Sequence, residues 1–193
     1  LVFSPLEKEL YPKGSISNAY NLKGLDTIME GKKRPGHFNG VCTVVQKLFE
    51  VIMPNKAYFG EKDYQQLAII KELTKSLDFN IDIVSCPTIR EKDGLAMSSR
   101  NTYLSKSEFR QAPKLYKCIK ETIKMIRNGD KDYEQLEKEA NIFLEQAGFK
   151  VEYYSICDSK TLAPAGDDDA IVLVAAWLGK TRLIDNAKVH TYD

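Results

Sequence analysis

Val41, Val44, Val45, Leu48, Phe49 and Ile52 recur at helical spacing. The pattern predicts an amphipathic helix over 41–52, capped by Asn39-Gly40 and stopped by Pro54, with its apolar stripe mostly in the core. A short apolar run follows at 57–59 and reads as a strand. Leu67, Ile70, Leu73 and Leu77 then mark one face of a helix over about 64–76. After a loop at 78–80, 81–84 reads as a second strand. Strands alternating with helices of this length predict a parallel sheet with crossover helices. Upstream, 1–12 reads as the end of a strand running into a loop punctuated by Pro5 and Pro12. Residues 13–40 are polar and glycine-rich, with a short helix expected around 22–29.

Beyond residue 101 the pattern changes. Ser105-x-x-Glu108 is a capping box for a helix running to about Arg127, kinked or divided at Pro113. Asn128-Gly129-Asp130 ends it. Asp132 caps a further helix to about Gln146, closed by Gly148. Period-two segments follow at 150–157, 170–176 and 181–185, with a hairpin turn at 178–180. The expectation is an α/β chain: a partial parallel sheet with crossover helices over 1–102, then a small α+β domain of helices and an antiparallel sheet over 103–193.

Composition narrows the function classes. The 193 residues carry 28 basic and 27 acidic side chains, a net charge of +1, so nothing points to nucleic acid or a membrane surface as partner. No apolar run reaches the length of a membrane span. Cys42, Cys86, Cys118 and Cys157 are far apart in sequence and lie among apolar residues. They read as small buried hydrophobes in a reducing compartment, not as metal or redox pairs.

Two segments carry candidate chemistry. Phe59-Gly60-Glu61-Lys62-Asp63-Tyr64-Gln65-Gln66 is a strand end, a glycine turn and a helix start. That arrangement directs free N–H groups and the positive end of a helix dipole at an anion. Lys62 adds a mobile charge. Asp63 and Gln66 add groups suited to hydroxyls and carboxylates. One βαβ spacing later, Ile89 to Asn101 contains a turn at Asp93-Gly94 and ends in Met97-Ser98-Ser99-Arg100-Asn101. Its hydroxyls and arginine fork suit phosphate oxygens. Gly179-Lys180-Thr181 imitates the end of a P-loop, but Val174 stands where that motif needs glycine, and it reads as a hairpin. Asp167-Asp168-Asp169 reads as a solvated loop.

Several longer stretches in order resemble the pantoate–β-alanine ligase (pantothenate synthetase) family. They are Arg34-Pro35-Gly36-His37-Phe38-Asn39-Gly40-Val41, the run Thr43 to Phe49, the Gly60-Glu61-Lys62-Asp63 turn, Asp93 to Asn101, Ala175-Ala176-Trp177-Leu178-Gly179 and Arg182-Leu183-Ile184-Asp185-Asn186. The Met-Ser-Ser-Arg segment is similar to the KMSKS loop of class I nucleotidyltransferases. The resemblance implies a Rossmann-like nucleotide- and pantoate-binding domain over 1–102 and a lid over 103–193. It implies ATP-dependent joining of pantoate to β-alanine, giving pantothenate, AMP and pyrophosphate through a pantoyl adenylate, with Mg²⁺ riding on the ATP phosphates.

Site roles follow from the same resemblance. Lys62, Ser98, Ser99 and Arg100 would be catalytic. Gly60, Glu61, Lys62, Asp63, Ile89, Met97, Ser98, Ser99 and Arg100 would bind ATP, and Gln66 pantoate. Val44 and Val45 are further candidates for the pocket wall. Arg34 and His37 are candidates for its phosphate side, although His37 by position alone is a structural turn residue. A homodimer in the cytoplasm is implied. The family's Met-Gly-x-Leu-His-x-Gly-His segment has no counterpart, and the only histidines are His37 and His190. The expectation is therefore an amino-terminally shortened chain, inactive in isolation. Two other readings of the residues stay open: a nucleotide-binding or dimerising module without chemistry, and another adenylate-forming nucleotidyltransferase.

Overall fold

A computed structural model describes residues 2–14, 17–166 and 169–189. Leu1, Asp167, Asp168 and His190 lie outside the described residues. In chain order the elements are α1 (Glu7–Leu10), α2 (Met29–Lys33), α3 (His37–Ile52), β1 (Lys56–Gly60), α4 (Tyr64–Ser76), β2 (Asp82–Cys86), α5 (Lys106–Gln111), α6 (Lys114–Arg127), α7 (Tyr133–Gln146), β3 (Phe149–Asp158), β4 (Ala170–Leu178) and β5 (Thr181–Lys188). Two 3-10 turns, Glu61–Asp63 and Ser99–Tyr103, stand between them. The chain divides into two compact units. One comprises Leu1–Phe59 and Gln65–Val84, the other Gly60–Tyr64 and Ser85–Asp193. Residues 102 and 103, where the sequence pattern changes, both belong to the second.

In the first unit, β1 and β2 form a two-stranded parallel sheet, the expected α/β arrangement. α3 begins at His37, four residues before the expected start at 41. Gly36, at φ +78, turns the chain into it. Met53 in the left-handed region closes it, its N–H donating to Phe49 O at 2.8 Å. The apolar stripe is only partly core. Phe38, Cys42 and Phe49 are buried, whereas Val44 and Ile52 are 46% and 47% exposed. Buried Thr43 takes a place that the hydrophobic pattern could not assign. Its hydroxyl donates to Asn39 O at 2.8 Å and accepts from Asn18 N–H at 3.0 Å, tying the upstream loop to α3. The core is Leu22, Phe38, Cys42, Ile69 and Leu73. Phe49 meets Phe59 and Phe79 edge-on.

Two upstream expectations are corrected. The short helix is Met29–Lys33, not 22–29, and 2–6 contains no strand. Leu22 and Leu25 are instead used in turns against the core. Buried Gln65 is what holds that region. Its Nε2 donates to Leu25 O (2.5 Å) and Ile28 O (3.0 Å), and its Oε1 accepts from Glu30 N–H at 3.0 Å. Gln65→Ala strips three part-buried backbone groups of this side-chain partner, at a cost of about 1–3 kcal/mol. The expected outcome is at least about tenfold faster amide exchange at Glu30 and its neighbours, with little change at amides of the second unit.

The second unit is an antiparallel sheet in the order β3-β4-β5, with α6 and α7 packed on it. Pro113 divides α5 from α6, because its ring cannot sit in a helix interior. The Ser105/Glu108 capping box forms as expected, and Asp132 caps α7 by accepting from Gln135 N–H at 3.0 Å. Gly179-Lys180 is a two-residue hairpin turn that pairs Leu178 with Thr181. Every residue from Ile171 to Ala176 is buried, so β4 is covered on both faces. Val172, Val174, Ala176 and Leu178 join the helices in the main core. The β3–β4 register slips between Val151 and Tyr153. At that slip Glu152 accepts from Trp177 Nε1 at 2.7 Å and Arg182 Nε at 2.8 Å. This network explains why Trp177 and Arg182 face each other across the hairpin.

All four cysteines are free thiols. Burial pushes Cys42 and Cys118 up to about 11 and Cys157 up to about 12, which keeps them protonated and unreactive. No helix among the described residues is long and apolar enough to cross a membrane.

Candidate functional site

Gly60 ends β1 in an extended conformation, φ −70 and ψ 133. Nothing within 4 Å would meet a Cβ there. Neither backbone strain nor the protein's own packing requires glycine at this position. Glu61–Asp63 follows as a 3-10 turn with no side-chain cap, and α4 continues from Tyr64. Lys62 is half-buried on this turn. Desolvation holds its ammonium below the ordinary lysine value. Asp63 and Asp185 pull the other way, and Arg100 and Arg90 add to the lowering.

The second segment forms a small hairpin. Arg90 bridges Ala96, Glu91 N–H donates to Leu95 O at 2.8 Å, and Met97 N–H donates to Ile89 O at 2.9 Å. Gly94 at its tip has φ +98, and a Cβ there would lie 2.8 Å from the Tyr116 ring, so only glycine fits. Tyr116 in turn stacks under Arg90, whose Cζ is 3.5 Å from the ring centroid. After the hairpin, Ser98 opens the 3-10 turn Ser99–Tyr103, its Oγ accepting from Arg100 N–H at 3.3 Å. Asn101 Nδ2 donates to Ala96 O at 3.1 Å and fixes the turn to the hairpin. The side chains of Ile89, Met97, Ser99 and Arg100 are exposed.

Gly60, Glu61, Lys62, Asp63, Ile89, Met97, Ser98, Ser99 and Arg100 therefore all belong to the second compact unit. Arg34, His37, Val44, Val45 and Gln66 belong to the first. There Arg34 Nη1 lies 2.9 Å from His37 Nε2 at the start of α3. Val45 packs on the core while Val44 faces out.

Among the described residues neither the Lys62 ammonium nor the Arg100 guanidinium has a carboxylate or carbonyl partner. Arg90, by contrast, is saturated. Its Nη1 donates to Asp185 Oδ2 at 2.7 Å and to Gly94 O at 3.1 Å, and its Nη2 to Asp185 Oδ1 at 2.9 Å and Asn186 O at 3.2 Å. Burial pushes the Asp185 carboxyl up, and the bidentate arginine pulls it back down. Residue-pattern reasoning assigned no role to Arg90, Tyr116, Asp185 or Asn186. The available signal was two adjacent polar residues ending a strand whose inward positions are otherwise apolar or threonine. Beside these groups lies a cavity of about 310 Å³ lined by Glu61, Tyr64, Arg90, Tyr116, Asn186 and Lys188 among others. Among the described residues no three His, Cys, Asp or Glu side chains gather as a metal site.

The family model for pantoate–β-alanine ligase matches residues 1–188. A pantoate–β-alanine ligase of Schizosaccharomyces pombe is 49% identical over 189 residues, 96% of this chain and 67% of that protein. A pantothenate synthetase of Hahella chejuensis is 49% identical over 193 residues, 98% of this chain and 68% of that protein. The crystal structure of the Thermus thermophilus enzyme superposes with a TM-score of 0.90 at 38% identity, covering 98% of this chain and 69% of that one. The Francisella tularensis ligase, crystallised with β-γ ATP and β-alanine, superposes at 0.71 with 36% identity, covering 96% and 63%. With a family match along nearly its whole length and relatives at 49% identity, this chain belongs to the pantoate–β-alanine ligase family.

Proposed function

We propose that the 60–63 turn and the 97–100 segment form the phosphate-binding part of an ATP site that serves the family reaction, the condensation of pantoate with β-alanine. The observation that carries this is the pair of unpartnered cations. Neither cation is held in a direct ion pair among the described residues, although Asp63 and Asp185 attract Lys62 more strongly than Arg100 repels it. Two cations without a direct counter-ion keep their N–H donors for an incoming anion, and a triphosphate supplies one. The Francisella tularensis complex with β-γ ATP supports the same ligand.

In the reaction, a pantoate carboxylate oxygen attacks the α-phosphorus of ATP and pyrophosphate leaves, giving pantoyl adenylate. The β-alanine amine then attacks the acyl carbon, loses a proton, and AMP leaves. Neither step needs a protein nucleophile. Both need alignment and neutralisation of charge that develops on phosphate oxygens. Lys62 supplies a point charge and Arg100 a planar fork. Ser98 keeps its hydroxyl proton free, because its oxygen is the acceptor for Arg100 N–H. Ser99 and Met97 flank the phosphates, and Ile89, 67% exposed, offers an apolar contact to adenine. At Gly60 the open space where a Cβ would stand leaves room for a nucleotide against the backbone. Asp63 accepts from ribose hydroxyls, and Gln66 binds pantoate. A magnesium ion, which screens the triphosphate charge when bound, would be carried by phosphate oxygens. The homodimer and the cytoplasmic setting belong to the same proposal and rest on family membership.

The test is exchange of labelled pyrophosphate into ATP, run here and for the Lys62 variants below with the chain joined to a relative's Met-Gly-x-Leu-His-x-Gly-His segment, since the chain by itself is expected to be inactive. Pantoate is expected to support exchange without β-alanine, and adding β-alanine should convert the adenylate to pantothenate and AMP. Exchange driven by another carboxylic acid and not by pantoate would move the chain to a different adenylate-forming reaction.

A further inference from the structure

The Asn186 amide makes two hydrogen bonds to consecutive carbonyls. Nδ2 donates to Glu61 O and to Lys62 O, both at 2.9 Å. Those carbonyls belong to the 3-10 turn that carries Lys62. Asn186 is itself fixed. Its N–H donates to Asp185 Oδ1 at 2.8 Å, and its carbonyl accepts from Arg90 Nη2 at 3.2 Å. On β5 it pairs with Leu173 of β4. The same Arg90 is stacked on Tyr116 and bonded to the hairpin tip at Gly94 O. One strand residue thus joins the Lys62 turn to the hairpin that runs into Ser98 and Arg100.

The chemistry of the side chain is specific. A carboxylate at this position would accept only, and a hydroxyl would donate once. An amide donates twice from one nitrogen. The cavity of about 310 Å³ lies against Glu61, Arg90 and Asn186, so apolar packing does not back the turn on that side. The two N–H···O bonds are the ones that hold its backbone carbonyls, beside a looser Glu61–Lys188 ion pair at 3.8 Å and the Tyr64 hydroxyl, which donates to Ser159 O at 2.8 Å.

We propose that Asn186, aimed by the Arg90–Asp185 pair, is a positioning residue for Lys62, fixing the turn so that the lysine and Arg100 meet the same anion. This deepens the phosphate-site proposal above and rests on it. Lys62 is half-buried only while the turn is pinned. Release of the turn lets the ammonium reach water, which returns its titration toward that of an ordinary lysine.

The test uses the whole chain with its lysines ¹³C-dimethylated, Lys62 being identified by the resonance missing from Lys62→Arg. Asn186→Ala is expected to move the Lys62 titration upward while other lysines stay in place and the circular dichroism is unchanged. Asn186→Leu keeps the branched four-atom outline without the donors and serves if the alanine variant does not fold. A Lys62 titration unmoved in a folded variant overturns the proposal. A double-mutant cycle in ATP affinity separates the proposal from the reading beneath it. Asn186→Ala should weaken ATP binding about tenfold where Lys62 is present and cause no further loss in Lys62→Ala. Equal losses in both backgrounds overturn positioning through Lys62. An ATP affinity untouched by Lys62→Ala, with the Lys62 titration still governed by Asn186, overturns the phosphate role of the lysine and leaves the positioning intact.

Discussion

Lys62→Ala is expected to slow pantoate-dependent adenylation by about 10²–10³-fold, the scale on which loss of one preorganised charge-stabilising group acts. The ammonium is half-buried and has no direct ion-pair partner among the described residues, so a phosphate bound there would meet it at reduced dielectric screening. Removing it leaves Arg100 as the remaining cation of the pair. The pH dependence has a definite sign. Desolvation lowers the Lys62 value from 10.5, so in the free protein the amine loses its proton earlier than an ordinary lysine. The protonated form binds phosphate. ATP affinity should therefore hold at neutral pH and fall as pH rises through the lowered Lys62 value. It should level off above the value in the complex, which the bound phosphates raise. For folding the sign is opposite. The unfolded chain binds the proton more tightly, so this group's contribution to stability increases with pH through the same window. Calorimetric titration of ATP between neutral and alkaline pH, with pyrophosphate exchange, checks both halves. An alkaline fall that persists unchanged in Lys62→Ala assigns the titration to another group. An exchange rate within twofold of the unsubstituted chain removes the lysine from the mechanism.

Much of this arrangement was legible before any coordinates. Tyr64–Ser76 and the division at Pro113 follow from periodicity and from the missing N–H of proline. The Ser105/Glu108 and Asp132 caps follow from side-chain chemistry, since an oxygen one turn before a helix satisfies donors that nothing else can reach. The antiparallel hairpin follows from strand-forming runs on either side of the Gly179-Lys180 turn, but the expected period two holds only in the first part of β5, since β4 is buried on both faces. Other features were not legible because they depend on tertiary context. Hydrophobic spacing in α3 could not show that Thr43 is buried and Val44 exposed, since the deciding partners, Asn18 and Tyr20, lie more than twenty residues upstream. Local pattern gives a role to Gln66 and none to Gln65. Its burial is set by carbonyls 37 and 40 residues away.

The candidate site divides along the same line. Lys62 and Arg100 stand out as residue types in short polar turns. The turn that carries Lys62 and the hairpin ahead of Arg100 are both bonded to a strand about 85–125 residues downstream, whose polar residues carry no local pattern. The motif Arg182 to Asn186 was conspicuous as a stretch, but only the bonds from Asp185 and Asn186 say why those two side chains are polar in a buried strand.

Asp185→Ala is expected to cost about 3–5 kcal/mol of stability, the larger of the two stability effects argued here. The carboxylate is 4% exposed as a residue and is the only anion bonded to the Arg90 guanidinium among the described residues. Arg90 has a side chain only 17% exposed and cannot give up its proton, so the substitution leaves a buried charge without a counter-charge. It also removes the acceptor for Asn186 N–H. Tyr116 stays stacked on the guanidinium, but a ring face at 3.5 Å replaces only a fraction of a bidentate carboxylate. Asp185→Asn should cost less, because an amide oxygen still accepts one bond from Arg90. The pair as such is not the source of the stability. Removing both charges together, as Arg90→Met with Asp185→Leu, should recover most of the loss by exchanging a desolvated ion pair for apolar contact. ATP affinity should not recover with it, since Asn186 and Gly94 would still lack the arginine that orients them. Trp177 is the only tryptophan and lies on β4, the neighbour of β5, so urea unfolding followed by its fluorescence reports this unit directly. A double variant as unstable as Asp185→Ala would mean that the hydrogen bonds to Gly94 and Asn186, and not the uncompensated charge, set the cost.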